Sequence, residues 1–125
     1  MDDNRITAYT FTRMQPQATD ADLLTAQSEM EAYCKDNGYR IVGSAFTKEP
    51  SEKMPAIMQD ILTNMKSKKA ELLVIPDISR LGRNTDVVTE IVKAFADEDM
   101  DIETTDGSWL SELFEPDTKP FIFRM

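Results

Sequence analysis

Residues 72–84, Leu-Leu-Val-Ile-Pro-Asp-Ile-Ser-Arg-Leu-Gly-Arg-Asn, decide the fold of this chain. The first four form a continuous apolar run, short enough for a strand buried on both faces. Apolar residues then recur at helical spacing in residues 85–95: Val88, Ile91, Val92 and Phe95. The stretch is therefore a strand-to-helix turn, and it carries Arg80 and Arg83. Such turns lie at the carboxyl edge of a parallel sheet, where doubly wound folds bind their ligands.

The remainder of the chain alternates predicted strands and helices. Strands are expected over residues 5–11, 39–46, 72–75 and 101–105. Helices are expected to start at Thr19 or Asp20, at Met54-Pro55 and at residue 85, and the first should stop at Asn37-Gly38. After a turn at residues 106–108, a short helix and a last edge strand over residues 120–124 are expected.

This alternation predicts an α/β class with a single three-layer domain over residues 1–125. Its sheet should be mostly parallel, with four to five strands in the order 2-1-3-4. The core is expected within residues 5–108, and residues 109–125 are expected to be a C-terminal extension.

Composition excludes several classes of site. The chain has no histidine, which excludes a zinc site and a Ser-His-Asp triad, and neither a metal nor a cofactor is expected. A net charge of −9 argues against non-specific DNA binding by the whole surface. The single cysteine, Cys34, excludes an internal disulfide, and we expect it to be a small core or boundary residue in a reducing, cytoplasmic compartment. No run approaches the roughly 20 apolar residues that span a membrane.

Three arginines are predicted to meet in one crevice. Arg13 follows the first strand, whereas Arg80 and Arg83 follow the third, and these two strands are neighbours in the order 2-1-3-4. Planar guanidinium groups suit phosphate oxygens, so their convergence predicts an anion site. The alternative is that each arginine pairs with a local carboxylate, such as Asp77 or Asp86.

Together these segments resemble the catalytic domain of the serine recombinases, the resolvase and invertase family, over roughly residues 5–108. The strongest match is residues 78–84, Ile-Ser-Arg-Leu-Gly-Arg-Asn, which is similar to the family's Leu-Asp-Arg-Leu-x-Arg-Asn signature. Residues 11–15, Phe-Thr-Arg-Met-Gln, align with the family's Tyr-x-Arg-Val-Ser. Residues 23–27 are similar to its Ser-Leu-x-x-Gln segment, which places Gln27 on the family's glutamine.

The resemblance implies chemistry on DNA phosphates. In the family, the serine of Tyr-x-Arg-Val-Ser attacks a DNA phosphodiester and forms a covalent phosphoserine link, while arginines stabilise charge on the phosphate. By position, Arg13, Arg80 and Arg83 match three of those arginines.

The chain departs from the family at three catalytic-type positions. Gln15 stands at the position of the nucleophile, and an amide cannot take the role of the serine. Ser79 stands where the signature has an acidic residue. The loop that carries a further phosphate-contacting arginine in the family is shortened here and ends in Met54-Pro55.

Nearby hydroxyl groups offer a substitute nucleophile. Thr10 and Thr12 lie close to Arg13 in sequence, Ser79 precedes Arg80, and Ser44 lies on the second predicted strand. A substitute must reach the same phosphate in line, and a displacement of about 1 Å costs about a hundredfold in rate. Thr12 should also point away from Arg13 if the first strand extends that far. We therefore expect cleavage to be lost.

The C-terminal extension carries an apolar cluster but no recognisable helix-turn-helix or basic arm, so no DNA-binding domain is expected. The cluster is expected either to pack on the domain or to form an interface. Its members are Trp109, Leu110, Leu113 and Phe114.

Three functions compete on this evidence. The favoured one is a cleavage-inactive domain linked to site-specific DNA recombination, which acts as a non-catalytic or regulatory partner of itself, as a homodimer, or of an active recombinase. The second is a DNA recombinase that forms a covalent protein–DNA link through a relocated hydroxyl. The third is a phosphate- or nucleotide-binding domain, which is weaker because the chain has no glycine-rich phosphate loop. DNA is the expected ligand of the arginine crevice, and no membrane partner is expected.

Overall fold

The computed structural model describes residues 5–82 and 85–106, except for the side chain of Ile78. Strands and helices alternate along this part of the chain. The elements are β1 (Thr7–Arg13), α1 (Asp20–Asp36), β2 (Arg40–Thr47), α2 (Met54–Lys68), β3 (Leu72–Ile75), α3 (Thr85–Asp97) and β4 (Asp101–Thr104). Two short 3₁₀ turns, Ser51–Lys53 and Ile78–Leu81, precede α2 and α3.

The four strands of the described residues form one parallel sheet in the order β2-β1-β3-β4. This confirms the predicted α/β class and strand order. The predicted position of the first strand was wrong by two residues, because pairing with β2 continues to Arg13 opposite Thr47. The other three strands begin or end within one residue of their predicted limits.

Side chains alternate between two cores on opposite faces of the sheet. Tyr9 and Phe11 of β1 point into the larger core, beneath α2 and α3, whereas Ala8 points into the smaller core beneath α1. All four residues of β3 are buried, as predicted for a strand covered on both faces. By the same alternation, Thr10 and Thr12 belong to the α1 face and Arg13 to the α2 and α3 face.

A side-chain cap fixes the start of α1, and buried side chains fix the helix against the sheet. Thr19, one of the two caps that the sequence predicts, is the N-cap, and it forms a reciprocal capping box with Asp22. Met30 and Cys34 bury the inner side of the helix against the sheet. Burial, the largest cause, and nearby carboxylates raise the pKa of the Cys34 thiol to about 11, which agrees with the predicted role as a core residue.

None of the helices in the described residues is long and apolar enough to cross a membrane. The predicted turn at 106–108 lies largely outside the described residues. The predicted short helix with Trp109, Leu110, Leu113 and Phe114, and the predicted strand over residues 120–124, lie outside them entirely.

The turn after β3 is anchored by its last two residues. Leu81 is fully buried in the larger core, so it fixes the end of the 3₁₀ turn against the sheet. Gly82 follows with φ +139° and ψ 173°, a combination that is essentially restricted to glycine. Leu81 and Gly82 therefore hold the preceding Arg80 at a defined position.

Replacing Gly82 by asparagine should lower the free energy of unfolding by about 1–3 kcal/mol, because no side chain accommodates this backbone conformation without strain. Urea unfolding followed by circular dichroism measures the loss. Gly38 is the matched control: its φ of +74° lies near the left-handed region that asparagine tolerates, and nothing would contact an added Cβ. We expect Gly38→Asn to cost no more than about 1 kcal/mol, and equal losses at both positions would contradict the role given to Gly82.

Glu103 of β4 connects the C-terminal half of α1 to the far edge of the sheet. Its carboxylate accepts hydrogen bonds from Tyr33 Oη at 2.7 Å and from Tyr39 Oη at 2.9 Å. Burial, the largest cause, and the adjacent Glu103 carboxylate raise the pKa of both tyrosines, that of Tyr39 to about 12. These contacts hold α1 across β3 toward β4.

The raised pKa of Tyr39 predicts a defined alkaline sensitivity. An unfolded tyrosine titrates near pH 10. The contribution of protonated Tyr39 to the free energy of unfolding is therefore fully present below about pH 10, and it is lost as the pH rises toward 12. Tyr39→Phe should remove part of this loss in urea titrations across that pH range.

In absorbance titrations, Glu103→Gln should lower the native pKa of Tyr39 while leaving it above 10, because burial is the larger cause. An unchanged Tyr39 pKa in Glu103→Gln would contradict the assignment.

Candidate functional site

Arg13 and Arg80 meet at the carboxyl edge of the sheet. Arg13 is the last residue of β1, and Arg80 lies in the 3₁₀ turn that follows the neighbouring strand β3. The Nη1 of Arg80 donates a 2.7 Å hydrogen bond to the main-chain oxygen of Arg13. In return, Nη2 of Arg13 donates a longer bond, 3.5 Å, to the main-chain oxygen of Ser79. The structure thus brings together two of the three arginines that the sequence places in one crevice.

Each of the two guanidinium groups has a hydrogen-bond donor without an acceptor among the described residues. Both Nε atoms are shielded from solvent, and neither makes a hydrogen bond within the described part of the chain. The Nε of Arg80 lies 3.3 Å from Oδ2 of Asp77, which is an ion pair by distance but lacks the alignment of a hydrogen bond. Because buried donors without acceptors are costly, the pair is chemically suited to an added anion.

Asp77 organises the turn that carries Arg80. As the N-cap of the 3₁₀ turn, its Oδ1 accepts the main-chain N–H of Ser79 at 3.0 Å and also a hydrogen bond from the Ser79 hydroxyl. Its Oδ2 is the oxygen that faces Arg80. Arg80 therefore makes the ion pair with Asp77 that the sequence offers as an alternative to an anion site. Arg13 instead donates to a main-chain oxygen.

Gln15 lies just beyond the end of β1 and is exposed. The main chain on either side of it is fixed, since Met14 N–H donates to the Thr47 oxygen at 2.8 Å and the Gln15 oxygen accepts from Ala18 N–H at 2.9 Å. Gln15 therefore occupies the carboxyl edge together with Arg13 and Arg80. An amide at this position can donate and accept hydrogen bonds, but it offers no hydroxyl for attack on a phosphate.

Thr10 and Thr12 are placed poorly for attack on an anion held by the arginines. They are 1% and 0% exposed, and they lie on the face of β1 opposite to Arg13, as the strand alternation predicted for Thr12. The hydroxyl of Thr10 donates to Ser44 Oγ at 2.7 Å, and that of Thr12 faces Met14 Sδ at 3.9 Å. Among the candidate hydroxyls, Ser79 is the one that is both exposed and adjacent to Arg80.

Gln27 lies on the second turn of α1, partly buried and in the stripe of Met30 and Cys34. The hydrogen bonds that the two guanidinium groups make within the described residues go to main-chain oxygens and not to Gln27. Arg83 lies outside the described residues, so its place in the crevice stays a prediction. So does the interface role of Trp109, Leu110, Leu113 and Phe114.

Two features of the site were not identified as functional from the sequence. The main-chain oxygen of Arg13 is the acceptor that fixes Arg80, and no residue type signals a role for a carbonyl group. The sequence identifies Asp77 only as a general ion-pair partner, although a carboxylate two residues before a serine is a recognisable cap of a short turn. Within the described ranges, no cluster of three or more candidate ligands is arranged to hold a metal ion.

Comparison with solved structures shows the resolvase-like α/β fold. The chain matches the N-terminal catalytic domain of TP901-1 integrase with a TM-score of 0.68, at 16% identity and over 82% of this chain and 78% of that one. It matches a resolvase family site-specific recombinase from Streptococcus pneumoniae with a TM-score of 0.67, at 22% identity and over 82% and 74% of the two chains. A third match, with a TM-score of 0.67, is the C-terminal catalytic domain of ISC1926 TnpA, an IS607-like serine recombinase, at 16% identity and over 80% and 70%.

The family is shown by a separate comparison. Residues 8–123 match the model of the resolvase N-terminal domain, so the chain belongs to the resolvase family of serine recombinases. The match spans β1, the turn of Arg80 and the C-terminal extension. A comparison with curated protein sequences finds no significant match. Membership links this chain to site-specific recombination and confirms the resemblance read from the two arginine motifs.

Proposed function

We propose that this chain is a cleavage-inactive resolvase domain that binds DNA backbone phosphate through Arg13 and Arg80 and acts as a non-catalytic partner in recombinase assembly. The proposal rests on the hydrogen-bonded pair of Arg13 and Arg80, together with Gln15, which the sequence resemblance aligns with the family's nucleophile. The pair supplies donors for a phosphate, whereas Gln15 cannot form the covalent link on which strand exchange depends.

The arrangement of the donors supports binding of one phosphate between β1 and the turn after β3. The two guanidinium groups are held in register by their bonds to the main-chain oxygens of Arg13 and Ser79. These acceptors carry no net charge. Among the contacts of the described residues, only the Asp77 carboxylate offsets the two positive charges. A phosphate would add acceptors and neutralise the excess charge.

The partner role is supported by what the chain keeps and what it has replaced. A domain with the family fold and a phosphate site can enter an assembly on DNA without cutting it. The predicted interface of this assembly is the apolar cluster of the C-terminal extension, Trp109, Leu110, Leu113 and Phe114. The partner is either a second copy or an active recombinase.

Arg80→Ala should weaken binding of a short fluorescent DNA duplex by about tenfold or more, because it removes a charge-assisted phosphate contact. Anisotropy titrations over a range of salt concentrations measure the effect. The slope of log affinity against log salt should decrease by about 1 if one phosphate contact is lost. Arg80→Lys should recover the charge but not the fork of donors, and it should bind with intermediate affinity.

Lys35→Ala is the matched control for net charge. Lys35 is exposed in the last turn of α1, at the opposite edge of the sheet from the arginine pair. Its removal should change the affinity by less than twofold. Equal effects of the two alanine substitutions would contradict the site, and loss of the native circular dichroism spectrum in Arg80→Ala would show that Arg80 is structural. Thermal stabilisation by a nucleotide but not by DNA would favour the nucleotide-binding alternative.

A second candidate function is DNA cleavage through Ser79, and one observation favours it. The exposed Ser79 hydroxyl donates to the Asp77 carboxylate, as in a nucleophile paired with a base, and its main-chain oxygen contacts Arg13. In this alternative the Ser79 hydroxyl would attack a backbone phosphodiester and pass its proton to Asp77. The bond from phosphorus to one sugar oxygen would break, so that one end of the cut strand leaves as a free hydroxyl and the other stays linked to Ser79 through the phosphate.

Denaturing gel electrophoresis after incubation with nicked duplex DNA separates the two functions. We expect no covalent protein–DNA adduct, because Ser79 is displaced along the chain from the family's nucleophile position. An adduct that disappears in Ser79→Ala but persists in Thr12→Ala would establish the cleavage alternative.

A further inference from the structure

We propose that Asp77 is an internal competitor for the phosphate-binding edge of Arg80, so that its carboxylate limits the affinity of the arginine pair for DNA. The inference rests on the proposed function of the same site and assigns to it a residue that determines affinity. Its basis is the set of contacts that the Asp77 carboxylate makes.

Both oxygens of the Asp77 carboxylate are engaged. Oδ1 accepts from the Ser79 main-chain N–H and from its hydroxyl, so the position of the group is fixed by the turn itself. Oδ2 is left facing Arg80, 3.3 Å from its Nε. The negative charge is thus held against the guanidinium group by contacts that do not depend on Arg80.

The edge of Arg80 that Asp77 faces is the edge that an incoming phosphate would use. A guanidinium group binds an oxyanion with two parallel donors, either both Nη atoms or Nε with one Nη. In this structure Nη1 already donates to the main-chain oxygen of Arg13. The bidentate edge that leaves this bond intact therefore contains Nε, and Asp77 lies against it.

A phosphate at this edge must displace the Asp77 carboxylate or bind beside it. Displacement breaks the ion pair, and binding beside it places two negative charges within a few ångströms of each other. Either event weakens phosphate binding. The misaligned contact between Oδ2 and Nε shows that Asp77 neutralises Arg80 without satisfying its donor, so the exchange for a well-aligned phosphate oxygen is feasible.

The capping role of Asp77 can be separated from its charge. Asparagine is as good a cap as aspartate, since its side-chain oxygen accepts the same main-chain N–H. Asp77→Asn therefore keeps the bond to Ser79 N–H and the turn, and it replaces the charged oxygen that faces Arg80 by a neutral amide nitrogen, which cannot accept a hydrogen bond. Asp36→Asn makes the same change of charge at the end of α1, on the opposite edge of the sheet.

The test compares the affinities of the wild-type chain, Asp77→Asn, Asp36→Asn, Arg80→Ala and the double variant Asp77→Asn/Arg80→Ala for the same fluorescent duplex at low salt. We expect Asp77→Asn to bind about three- to tenfold more tightly than the wild type and Asp36→Asn to change the affinity by less than twofold. The gain should vanish in the double variant, which should bind like Arg80→Ala. Inorganic phosphate should compete more effectively with the duplex in Asp77→Asn.

Each contrary outcome has a distinct meaning. If Arg80→Ala weakens binding but Asp77→Asn behaves like Asp36→Asn or binds less tightly than the wild type, the phosphate site stands and Asp77 is not a competitor. A gain that survives in the double variant is a general effect of charge and overturns the inference. If the wild type, Asp77→Asn and Arg80→Ala all fail to bind, the proposed function fails as well. Melting curves of Asp77→Asn verify that its turn is intact, since an unfolded turn would lower and not raise the affinity.

Discussion

The 2.7 Å hydrogen bond from Arg80 Nη1 to the main-chain oxygen of Arg13 is the contact on which the site depends. It joins the end of β1 to the turn after β3, and it requires these two strands to be neighbours in the sheet. Two residues hold the turn in the position that this hydrogen bond requires. Leu81 is buried in the larger core, and Gly82 adopts a conformation essentially restricted to glycine. Sheet order, core packing and backbone conformation therefore converge on the position of one guanidinium group.

The same architecture separates the arginine pair from the threonine hydroxyl groups of β1. Alternation along β1 directs Arg13 to one face of the sheet and directs Thr10 and Thr12 to the other, where their hydroxyl groups are buried. A hydroxyl that is packed beneath α1 cannot approach a phosphate held by the arginines without rearrangement of the strand. Gln15, on the exposed chain beyond β1, is in the accessible position but has the wrong functional group. The family fold is thus combined with an amide, and not a hydroxyl, at this exposed position next to the arginine pair.

Much of this fold could be predicted from the sequence, because the deciding segments are local and strongly patterned. The apolar run of β3 and the helical spacing in α3 placed both elements correctly, and the start of α1 lies at the predicted Thr19 or Asp20, with Thr19 as the cap. The end of β1 was missed because Thr12 and Arg13 resemble the polar loop that follows, while their strand conformation comes from pairing with β2. Propensity could not anticipate that tertiary pairing.

The charged residues of the site could be predicted from the sequence, but the hydrogen bonds and ion pairs that they make could not. Parallel strands with the order 2-1-3-4 are enough to bring Arg13 and Arg80 to one edge. Arg80 donates to the main-chain oxygen of Arg13, and Asp77 contacts both Ser79 and Arg80. These contacts depend on distances that no sequence pattern encodes. Phosphate binding by Arg13 and Arg80 is best tested by an amide NMR titration of the protein with a short DNA duplex at low salt. If the pair binds DNA phosphate, the amide resonances of Arg13, Ser79 and Arg80 should shift together and return as salt is added. Resonances that stay unchanged at these residues, at DNA concentrations that shift others elsewhere, would contradict phosphate binding by the pair.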